Sequence, residues 1–464
     1  MKFENGLFIF RRDLRIVDNI GLNIINAKCK KVYAIFVFTP EQVGNSNKYK
    51  SKNAIQFMIE SLEDLSQQIK KQGGQLYTFY GNNNKVIKNC IQHFDIDYVC
   101  FNKDYTPYAV DRDSQILELC KKMNIECELG FDYYLHEPNT IFSSGGTPYQ
   151  KFTPYYEACL RKKITLPTSM RKINFGNKSP SSNVNVKTIT LKSAFDKFIH
   201  NNYNSEILVY GGRNNALKQL SNALKSQRHY SKTHNMLNHP TTQLSAYIKF
   251  GCLSIREVYL KFKSNHDLIR QLMWRDFYAN IIFHFPHVLG HAMKKNYNKV
   301  HWHKNERWLE AWKKGNTGFP LVDAGMREMN TTGYMHNRCR LIVASLLVKT
   351  LLIDWREGEE YFATKLVDYD VASNNGNWQW VAGTGSDSSP YFRIMNPWIQ
   401  SNEFDPDAEY IKKWIPELEE VPSKSIHNWY KEYADFKNIK YNKPIVDYSE
   451  QKEKALKMYS SAFH

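Results

Sequence analysis

Residues 32–38, VYAIFVF, form a run of β-branched and aromatic residues that is typical of a buried strand. Four similar short runs occur in the first third of the chain, at 7–10 (LFIF), 76–80 (LYTFY), 98–101 (YVCF) and 125–129 (IECEL). Patterns typical of helices lie between them, such as those at 53–72 and 108–123. Strands of this length that alternate with helices predict an α/β domain with a doubly wound parallel sheet over residues 1–130.

The sequence changes character after this predicted sheet. Residues 131–192 are predicted to be a connector, because 165–192 has the Pro, Ser, Asn and Lys content of a surface linker. Residues 193–464 are mainly helical in pattern, without a repeat. A chain of 464 residues has room for two or three domains. We therefore predict an α/β domain, a connector and a larger all-α domain.

The overall charge favours a polyanionic partner. Lys and Arg number 63 against 46 Asp and Glu, a net charge of +17, which attracts molecules such as nucleic acids. The 14% aromatic content, with ten Trp, is compatible with stacking on bases. A Lys-rich and Asn-rich chain can also reflect biased coding composition, so the charge alone does not decide between the two interpretations.

Cysteine spacing and apolar runs bear on the compartment. The eight cysteines form no C-x-x-C pair and no Cys/His metal spacing, which indicates reduced thiols in an intracellular protein without a metal site. GLFIF at the N-terminus is too short for a signal peptide. The longest apolar run, residues 341–353, is broken by Ser345, Lys349 and Thr350 and cannot span a bilayer. We expect a soluble protein.

The segment DYDVASNNGNWQW at 368–380 is poor material for a core. Asp368 and Asp370 are costly to bury without partners, whereas Trp378 and Trp380 bring large apolar faces. A bound cofactor or base would satisfy both demands. A polar loop anchored by two tryptophans explains the local pattern equally well.

Two further clusters carry hydroxyl, indole and amide groups. In TTQLSAYIKFGCLS at 241–254, Thr241, Thr242 and Ser245 stand at the start of a predicted helix, which suits a phosphate group but also an ordinary helix cap. In QLMWRDFY at 271–278, Trp274 can stack on a planar ligand that Arg275 or Gln271 binds. An amphipathic helix with a core indole is the alternative for the second cluster.

A third cluster, YMHNRCR at 334–340, places Asn337 and Arg340 on one face of a predicted helix. Arg340 is a natural partner for either Asp368 or Asp370. A buried ion pair without any ligand is the alternative interpretation.

Taken in order, these clusters identify the chain as similar to a known family. It resembles the photolyase/cryptochrome family over essentially its whole length, and most closely the class I cyclobutane pyrimidine dimer photolyases. The matching segments are FIFRRDLRIVDNIGL from residue 8, WRDFY at 274–278, AWKKGNTGFPLVDAGMR at 311–327, GYMHNRCRLIVASLLVKTLLIDWREGE from residue 333, and DYDVASNNGNWQWVAGTGSDSSPYFRIMNP at 368–397.

The resemblance implies that the helical domain binds flavin adenine dinucleotide (FAD), which is reduced in the active form. It implies an Arg340–Asp368 salt bridge on the flavin ring, Asp370 at the pyrimidine edge and Asn374 beside N5. A fixed cation and an amide donor would favour the anionic reduced flavin. The implied cofactor-binding residues are Tyr230, Thr241, Thr242, Gln243, Leu244, Ser245, Arg340, Asp368, Tyr369, Asp370 and Asn374.

The resemblance also implies light-driven repair of UV-damaged DNA. Excited reduced flavin would pass an electron to a flipped-out cyclobutane pyrimidine dimer, which splits and returns the electron. The implied DNA- and lesion-binding residues are Gln271, Trp274, Arg275, Asn337, Arg338, Leu341, Trp380 and Arg393. Trp378, Trp355 and Trp302 match the family's electron-transfer chain, although each alone would be interpreted as core.

Several residues depart from the pattern of the dimer photolyases. Gln271 stands where they usually have Glu, Leu341 where they have Met, and His234 and Gln243 where Arg is frequent. A Gln still forms hydrogen bonds but supplies no negative charge. Tyr108 and Ala109 replace the Asn–Glu pair expected for folate, so folate is not predicted as the antenna chromophore. A deazaflavin, a second flavin or no antenna all stay open.

Other functions of the same family are alternatives. A (6-4) photolyase would agree with Gln271, whereas the HNRCR and NNGNWQW segments argue against it. A cryptochrome-type photoreceptor without repair activity and a light-independent flavoprotein also stay open. We expect a monomer without an obligate protein partner, located in the cytoplasm or wherever the DNA resides, the nucleus included.

Overall fold

A five-stranded parallel sheet forms the centre of the N-terminal domain. The computed structural model describes residues 2–169, 172–178 and 188–463. The strands lie in the order β3-β2-β1-β4-β5, and every neighbouring pair is parallel. They are β1 (Phe3–Phe10), β2 (Cys29–Phe38), β3 (Leu76–Tyr80), β4 (Tyr98–Asn102) and β5 (Glu126–Gly130). The predicted sheet is confirmed, with one strand at each predicted run.

Helices cover both faces of this sheet. Phe8, Phe10 and Phe36 belong to the apolar cluster on one face, and Leu7 and Ile9 to the cluster on the other. This alternation explains why the strands are apolar throughout and not at every second residue only. The helices are α1 (Ile20–Lys28), α2 (Pro40–Val43), α3 (Lys52–Lys71), α4 (Asn83–His93) and α5 (Pro107–Lys122).

The connector is more structured than a surface linker. It contains α6 (Phe152–Leu160), and Phe175 is buried where it forms a parallel bridge with Val32 of β2. Thr188 forms an antiparallel bridge with Phe79 of β3. Part of the predicted linker, at 170–171 and 179–187, lies outside the described residues. The apolar side chains in its described part explain why that part packs on the sheet.

The C-terminal half is helical, and the larger all-α domain predicted for it is confirmed. None of the helices in the described ranges is long and apolar enough to cross a membrane. The helices are α7 (Leu191–Phe198), α8 (Arg213–Ser226), α9 (Tyr230–Thr233), α10 (Ser245–Lys249), α11 (Ile255–Phe262), α12 (His266–His284), α13 (Glu306–Lys314), α14 (Pro320–Thr332), α15 (Asn337–Lys349), α16 (Trp355–Lys365), α17 (Val371–Ala382), α18 (Pro397–Phe404), α19 (Glu409–Trp414), α20 (Ser423–His427), α21 (Trp429–Glu432) and α22 (Tyr448–Ser460).

Two glycines let α17 approach its neighbours closely. A Cβ atom on Gly376 would lie 2.1 Å from Cδ1 of Tyr278 in α12. A Cβ on Gly358 of α16 would lie 2.1 Å from Cη2 of Trp378 in α17. Real Cβ atoms do not approach other atoms so closely, so both positions need glycine. The two contacts fix α17 between α12 and α16.

A buried ion cluster joins the two domains. Arg256 of α11 donates from Nη2 to Asp132 Oδ1 at 2.7 Å and from Nε to Asp18 Oδ2 at 3.0 Å. Arg15 donates to Asp132 Oδ2 at 2.7 Å, and all four side chains are buried. Charges buried this deeply are tolerated because each is paired.

Candidate functional site

One cavity system in the helical domain brings most of the predicted site residues together. Its two adjoining parts have volumes of about 450 Å³ and about 430 Å³ and share lining residues from α10, α12, α15 and α17. The predicted residues that line one part or both are Tyr230, Thr241, Thr242, Ser245, Gln271, Trp274, Arg275, Asn337, Arg338, Arg340, Leu341, Asp368, Tyr369, Asp370, Asn374, Trp378 and Trp380.

Arg340 presents a fixed positive charge on the cavity wall. It donates from Nη2 to Asp368 Oδ2 at 3.0 Å and from Nε to the carbonyl of Met335 at 2.9 Å. Asp368 also accepts from Ser245 Oγ at 2.7 Å. Burial by itself lowers the pKa of Arg340, but Asp368, Tyr334 and Glu328 together outweigh it and the pKa is raised. Of the two partners that the sequence left open for Arg340, the structure has Asp368.

Asp370 pairs with a residue of the other domain. Arg12, which follows β1, donates from Nη1 to Asp370 Oδ2 at 3.0 Å. Asp370 is also the N-cap of α17 and accepts from the Ser373 N–H at 3.0 Å. Burial raises the pKa of Asp370, but Arg12 and Arg275 outweigh it and hold the pKa at about 2. Asp370 is therefore ionised at neutral pH.

The start of α10 differs from an ordinary capped helix. Its N-cap is Leu244, which is buried and forms no side-chain cap. The hydroxyl of Ser245 donates to Asp368, and Thr241 Oγ1 lies 3.0 Å from the Tyr334 hydroxyl. Gln243 has a left-handed φ of 54° and, like Leu244, is absent from the cavity lining among the described residues. The uncapped N–H groups and the hydroxyls at this edge can bind an anionic group such as phosphate.

Asn374 is oriented by a neighbouring helix. Its Nδ2 donates to the backbone carbonyl of Glu359 in α16 at 3.0 Å. The next residue, Asn375, donates to Glu359 Oε1 at 2.9 Å. Burial raises the pKa of Glu359 to about 7. Because one N–H of Asn374 Nδ2 is directed to Glu359, the Oδ1 atom and the second N–H are the groups of this amide that can serve the cavity.

Two indoles belong to the second part of the cavity. Trp274 is stacked on Phe152, with ring centroids 3.7 Å apart and an interplanar angle of 9°. Trp380 lines the same part from α17, together with Gln271 and Asn337. Flat apolar faces beside amide groups can accommodate a planar heterocycle.

Two arginines of the predicted lesion set have protein partners. Arg275 donates to the Tyr133 carbonyl at 2.5 Å and lies over the ring of Tyr134, so it also faces the domain interface. Arg338 donates to Asn235 Oδ1 at 2.6 Å and lies 4.3 Å from the ring centre of Phe404.

Besides Gln243 and Leu244, three predicted residues lie outside the cavity lining. Trp355 is fully buried at the start of α16, and Trp302 is half-buried with its edge against Tyr459, at a centroid distance of 5.8 Å. Arg393 is exposed in the loop after α17. Trp378, by contrast, lines the cavity and packs edge-on against Phe362 at 4.9 Å.

Several lining residues were missed by the sequence analysis. Tyr334 and Lys249 stand inside quoted segments, and Ser373 and Asn377 flank Asn374 on α17. Their position in those segments was the available signal. Arg12 also stands inside a quoted segment, but nothing in that segment indicated its pairing with Asp370, which depends on contact with the other domain.

A second cavity, of about 660 Å³, lies between the two domains. It is lined by Phe10 and Phe36 from the carboxyl ends of two strands, and by Tyr108, one of the two residues that replace the Asn–Glu pair expected for folate. Ala109 is buried. Lys249 and Tyr369 line both this cavity and the site in the helical domain.

Comparison with known proteins gives the family. Residues 7–172 match the model described as DNA photolyase, and residues 268–461 match that described as FAD binding domain of DNA photolyase. A deoxyribodipyrimidine photo-lyase of Buchnera aphidicola subsp. Baizongia pistaciae is 34% identical, over 98% of each chain. The chain belongs to the photolyase/cryptochrome family. The Escherichia coli protein of the same name is 31% identical, again over 98% of each chain.

Solved structures of this family agree with the fold. An archaeal photolyase from Sulfolobus tokodaii with two FAD molecules is 37% identical, with a TM-score of 0.87 over 98% of this chain and 100% of that one. A class III photolyase from Agrobacterium tumefaciens is 29% identical, with a TM-score of 0.90 over 100% and 98%. A Synechocystis cryptochrome is 27% identical, with a TM-score of 0.88 over 98% and 99%. The structural similarity therefore includes two photolyases and one cryptochrome.

Proposed function

We propose that this photolyase-family protein splits cyclobutane pyrimidine dimers in DNA under light, with reduced FAD bound in the cavity of the helical domain. One observation carries the proposal: the Arg340–Asp368 pair and Asn374 line the same cavity as Trp274, Trp380 and the amides of Gln271 and Asn337. Full-length relatives named deoxyribodipyrimidine photo-lyase support it. We also propose a monomer without an obligate protein partner that works in the compartment holding the DNA.

The residues of the cavity fit FAD. The uncapped start of α10 and the hydroxyls of Thr241, Thr242 and Ser245 would hold the pyrophosphate, and Tyr230 the adenosine. Arg340 would stabilise negative charge on the flavin ring, and Oδ1 of Asn374 would accept the N5–H of its reduced form. When bound, reduced FAD supplies the light-excited electron donor. Asn374 would thus act as an acceptor, whereas the sequence analysis expected a donor.

The second part of the cavity would receive the lesion. Photolyases are among the enzymes that act on bases taken out of the duplex stack. Trp274 and Trp380 would enclose the two flipped bases, and Gln271 and Asn337 would bond their edges. Leu341 would add an apolar contact, since it lines both parts of the cavity.

The (6-4) photolyase reaction is the second candidate because of Gln271. An amide at this position lacks the negative charge that dimer photolyases usually have there. Against it stand the HNRCR and NNGNWQW segments, which resemble class I dimer photolyases. We therefore favour the dimer as the substrate.

A lesion assay tests the proposal. The reduced, flavin-loaded protein is incubated with oligonucleotides that carry either lesion, in light and in darkness, and the lesions that remain are counted. We expect light-dependent loss of the dimer only. Loss of the (6-4) product instead would support the second candidate, and loss of neither would favour a photoreceptor. Trp380→Phe keeps an aromatic face and should retain repair, whereas Trp380→Ala should lose most dimer binding.

We also propose a second flavin nucleotide in the cavity between the domains. The 37% identical Sulfolobus tokodaii photolyase contains two FAD molecules, and Arg11, Arg12 and Arg112 line this cavity as potential phosphate partners. The flavin content of purified protein, measured after denaturation, tests it. We expect a flavin-to-protein ratio near two in the wild-type protein and near one in Gln42→Trp. The exposed Gln42 side chain lines the cavity between the domains and not the cavity of the helical domain, so the larger indole should exclude only the second flavin. A ratio of one in both proteins contradicts the second flavin.

A further inference from the structure

The loop that follows α17 is hydrogen-bonded to two side chains of α15. This rim loop, residues 383–396, carries the exposed Arg393, and the Arg393 N–H closes a turn onto the Pro390 carbonyl at 3.0 Å. Lys349 of α15 donates from Nζ to the Arg393 carbonyl at 2.9 Å and to the Pro390 carbonyl at 3.4 Å. One turn earlier on α15, Ser345 Oγ accepts from the Met395 N–H at 3.3 Å. Two side chains of one helix face therefore bind both ends of the segment 390–395.

Lys349 is an unusual residue for this position. Its side chain is 1% exposed, as is that of Ser345. A lysine is rarely buried unless its ammonium group has acceptors, and here the two loop carbonyls are those acceptors. An apolar residue would fill the same space without the cost of removing a charge from water. A lysine at this position can instead form hydrogen bonds that hold the loop in one conformation.

Helix α15 also carries a cation at the cavity. Arg338, in its first turn, lines the site, and its pKa is lowered by burial and, to a lesser degree, by the charge of Arg393. The exposed Arg393 of the loop and Arg338 of the cavity wall are both side chains of the type that binds DNA phosphates.

We propose that Lys349, assisted by Ser345, is a positioning residue that holds the rim loop in the conformation in which Arg393 contacts a DNA phosphate. Lys349 acts through the backbone of the loop and does not touch DNA. The inference deepens the proposed function and rests on it, since it assigns the phosphate contact that accompanies lesion binding.

The first experiment measures the loop without DNA. Hydrogen exchange is followed in the flavin-loaded full-length protein and in its Lys349→Met and Ser345→Ala variants. Methionine removes the ammonium group but fills the space, so the fold should persist, as checked by flavin absorbance and the unfolding temperature. We expect faster exchange in 390–395 in both variants, and unchanged exchange in α4, which packs on the sheet of the N-terminal domain. Unchanged exchange in 390–395 would overturn the role of Lys349.

The second experiment measures binding of a dimer-containing oligonucleotide at several salt concentrations. Lys349→Met should weaken binding about tenfold and reduce the slope of log K against log salt by about one, as expected for one lost phosphate contact. Arg393→Ala should do the same. The double variant should bind no more weakly than Arg393→Ala alone, because both changes remove one contact.

The results separate the inference from the proposed function. Two outcomes would overturn the link from Lys349 to Arg393. One is a double variant whose loss of DNA affinity is the product of the two single losses, and the other is a salt slope that Lys349→Met leaves unchanged. A wild-type protein that binds no dimer would count against the proposed function and the phosphate role of Arg393. Hydrogen exchange would still decide whether Lys349 holds the loop.

Discussion

Two carboxylates that are two residues apart have different electrostatic partners. Asp368 pairs with Arg340 of the same domain, and Asp370 with Arg12 of the other. Both pairs have N–O distances of 3.0 Å, yet the Arg340 pair borders the proposed flavin ring whereas Arg12 fixes the start of α17. Each of the two carboxylates therefore has its negative charge balanced by a different arginine, one in each domain.

The Arg12–Asp370 pair predicts a dependence of stability on pH. The pKa of folded Asp370 is depressed to about 2, so its pairing stabilises the fold above pH ~4 and loses this effect as the pH falls toward 2. Arg12→Gln should destabilise the protein by about 3–5 kcal/mol at pH 7, and by less at pH 3. Urea unfolding at both pH values measures this. Lys2→Gln, which breaks the exposed pair with Glu126, should change little, and an equal loss at both pH values in Arg12→Gln would contradict the prediction.

Asn374 gives a prediction about the flavin itself. In Asn374→Asp a carboxylate cannot donate to the Glu359 carbonyl, and it adds negative charge beside the position proposed for N5. We expect the reduced flavin to reoxidise faster in air and repair to decrease, as followed by absorbance and the lesion assay. Asn377→Asp adds the same charge one turn along α17 and should have a smaller effect. Unchanged flavin spectra and repair in Asn374→Asp would refute this role.

Helix α17 shows how one element assembles the site. Its N-cap pairs with Arg12, and its successive turns present Asn374, Trp378 and Trp380. The glycines at 358 and 376 allow it to lie close to α16 and α12. Its residues are polar and apolar in an irregular order because its surroundings are a cavity on one side and packed helices on the others.

Gly358→Ala should disturb the predicted electron-transfer chain through packing alone. The added methyl group would lie 2.1 Å from Trp378 Cη2, so the indole or α16 must move. We expect a loss of about 1–3 kcal/mol in unfolding free energy and slower photoreduction of oxidised flavin. Chemical unfolding and flash photolysis measure these two effects. Gly145→Ala, where the nearest atom is 3.9 Å away, is the matched control, and wild-type kinetics in Gly358→Ala would refute the prediction.

The elements themselves were largely predictable. All five strands and the helices α3 and α5 follow from their runs of apolar residues, because such periodicity is a local property. The start of α10 was not predictable in detail. Thr241, Thr242 and Ser245 are all cap-forming types, yet the N-cap is Leu244, and the hydroxyls of Ser245 and Thr241 bond to Asp368 and Tyr334.

At the scale of the whole molecule, the domains are joined by buried charges. Arg256 serves both Asp18 and Asp132, so its removal would leave buried carboxylates with fewer partners. We expect Arg256→Leu to cost about 3–5 kcal/mol and to let the domains unfold at separate temperatures in calorimetry. Arg327→Leu, which breaks a half-exposed pair with Glu417 inside the helical domain, should cost about 1 kcal/mol or less. A single unchanged transition in Arg256→Leu would contradict this.

The amino-acid sequence by itself determined the α/β sheet, the helical half and the segments that carry the cavity residues. Local periodicity and residue type are sufficient for these, because neighbours along the chain produce them. Only the tertiary structure decided that Arg12 reaches Asp370 across 358 residues, that Asn374 turns its Nδ2 to Glu359, and that Lys349 holds the rim loop. Such pairings depend on how finished elements pack, because many acceptors along the chain are equally suitable for each donor until packing brings a few of them within reach.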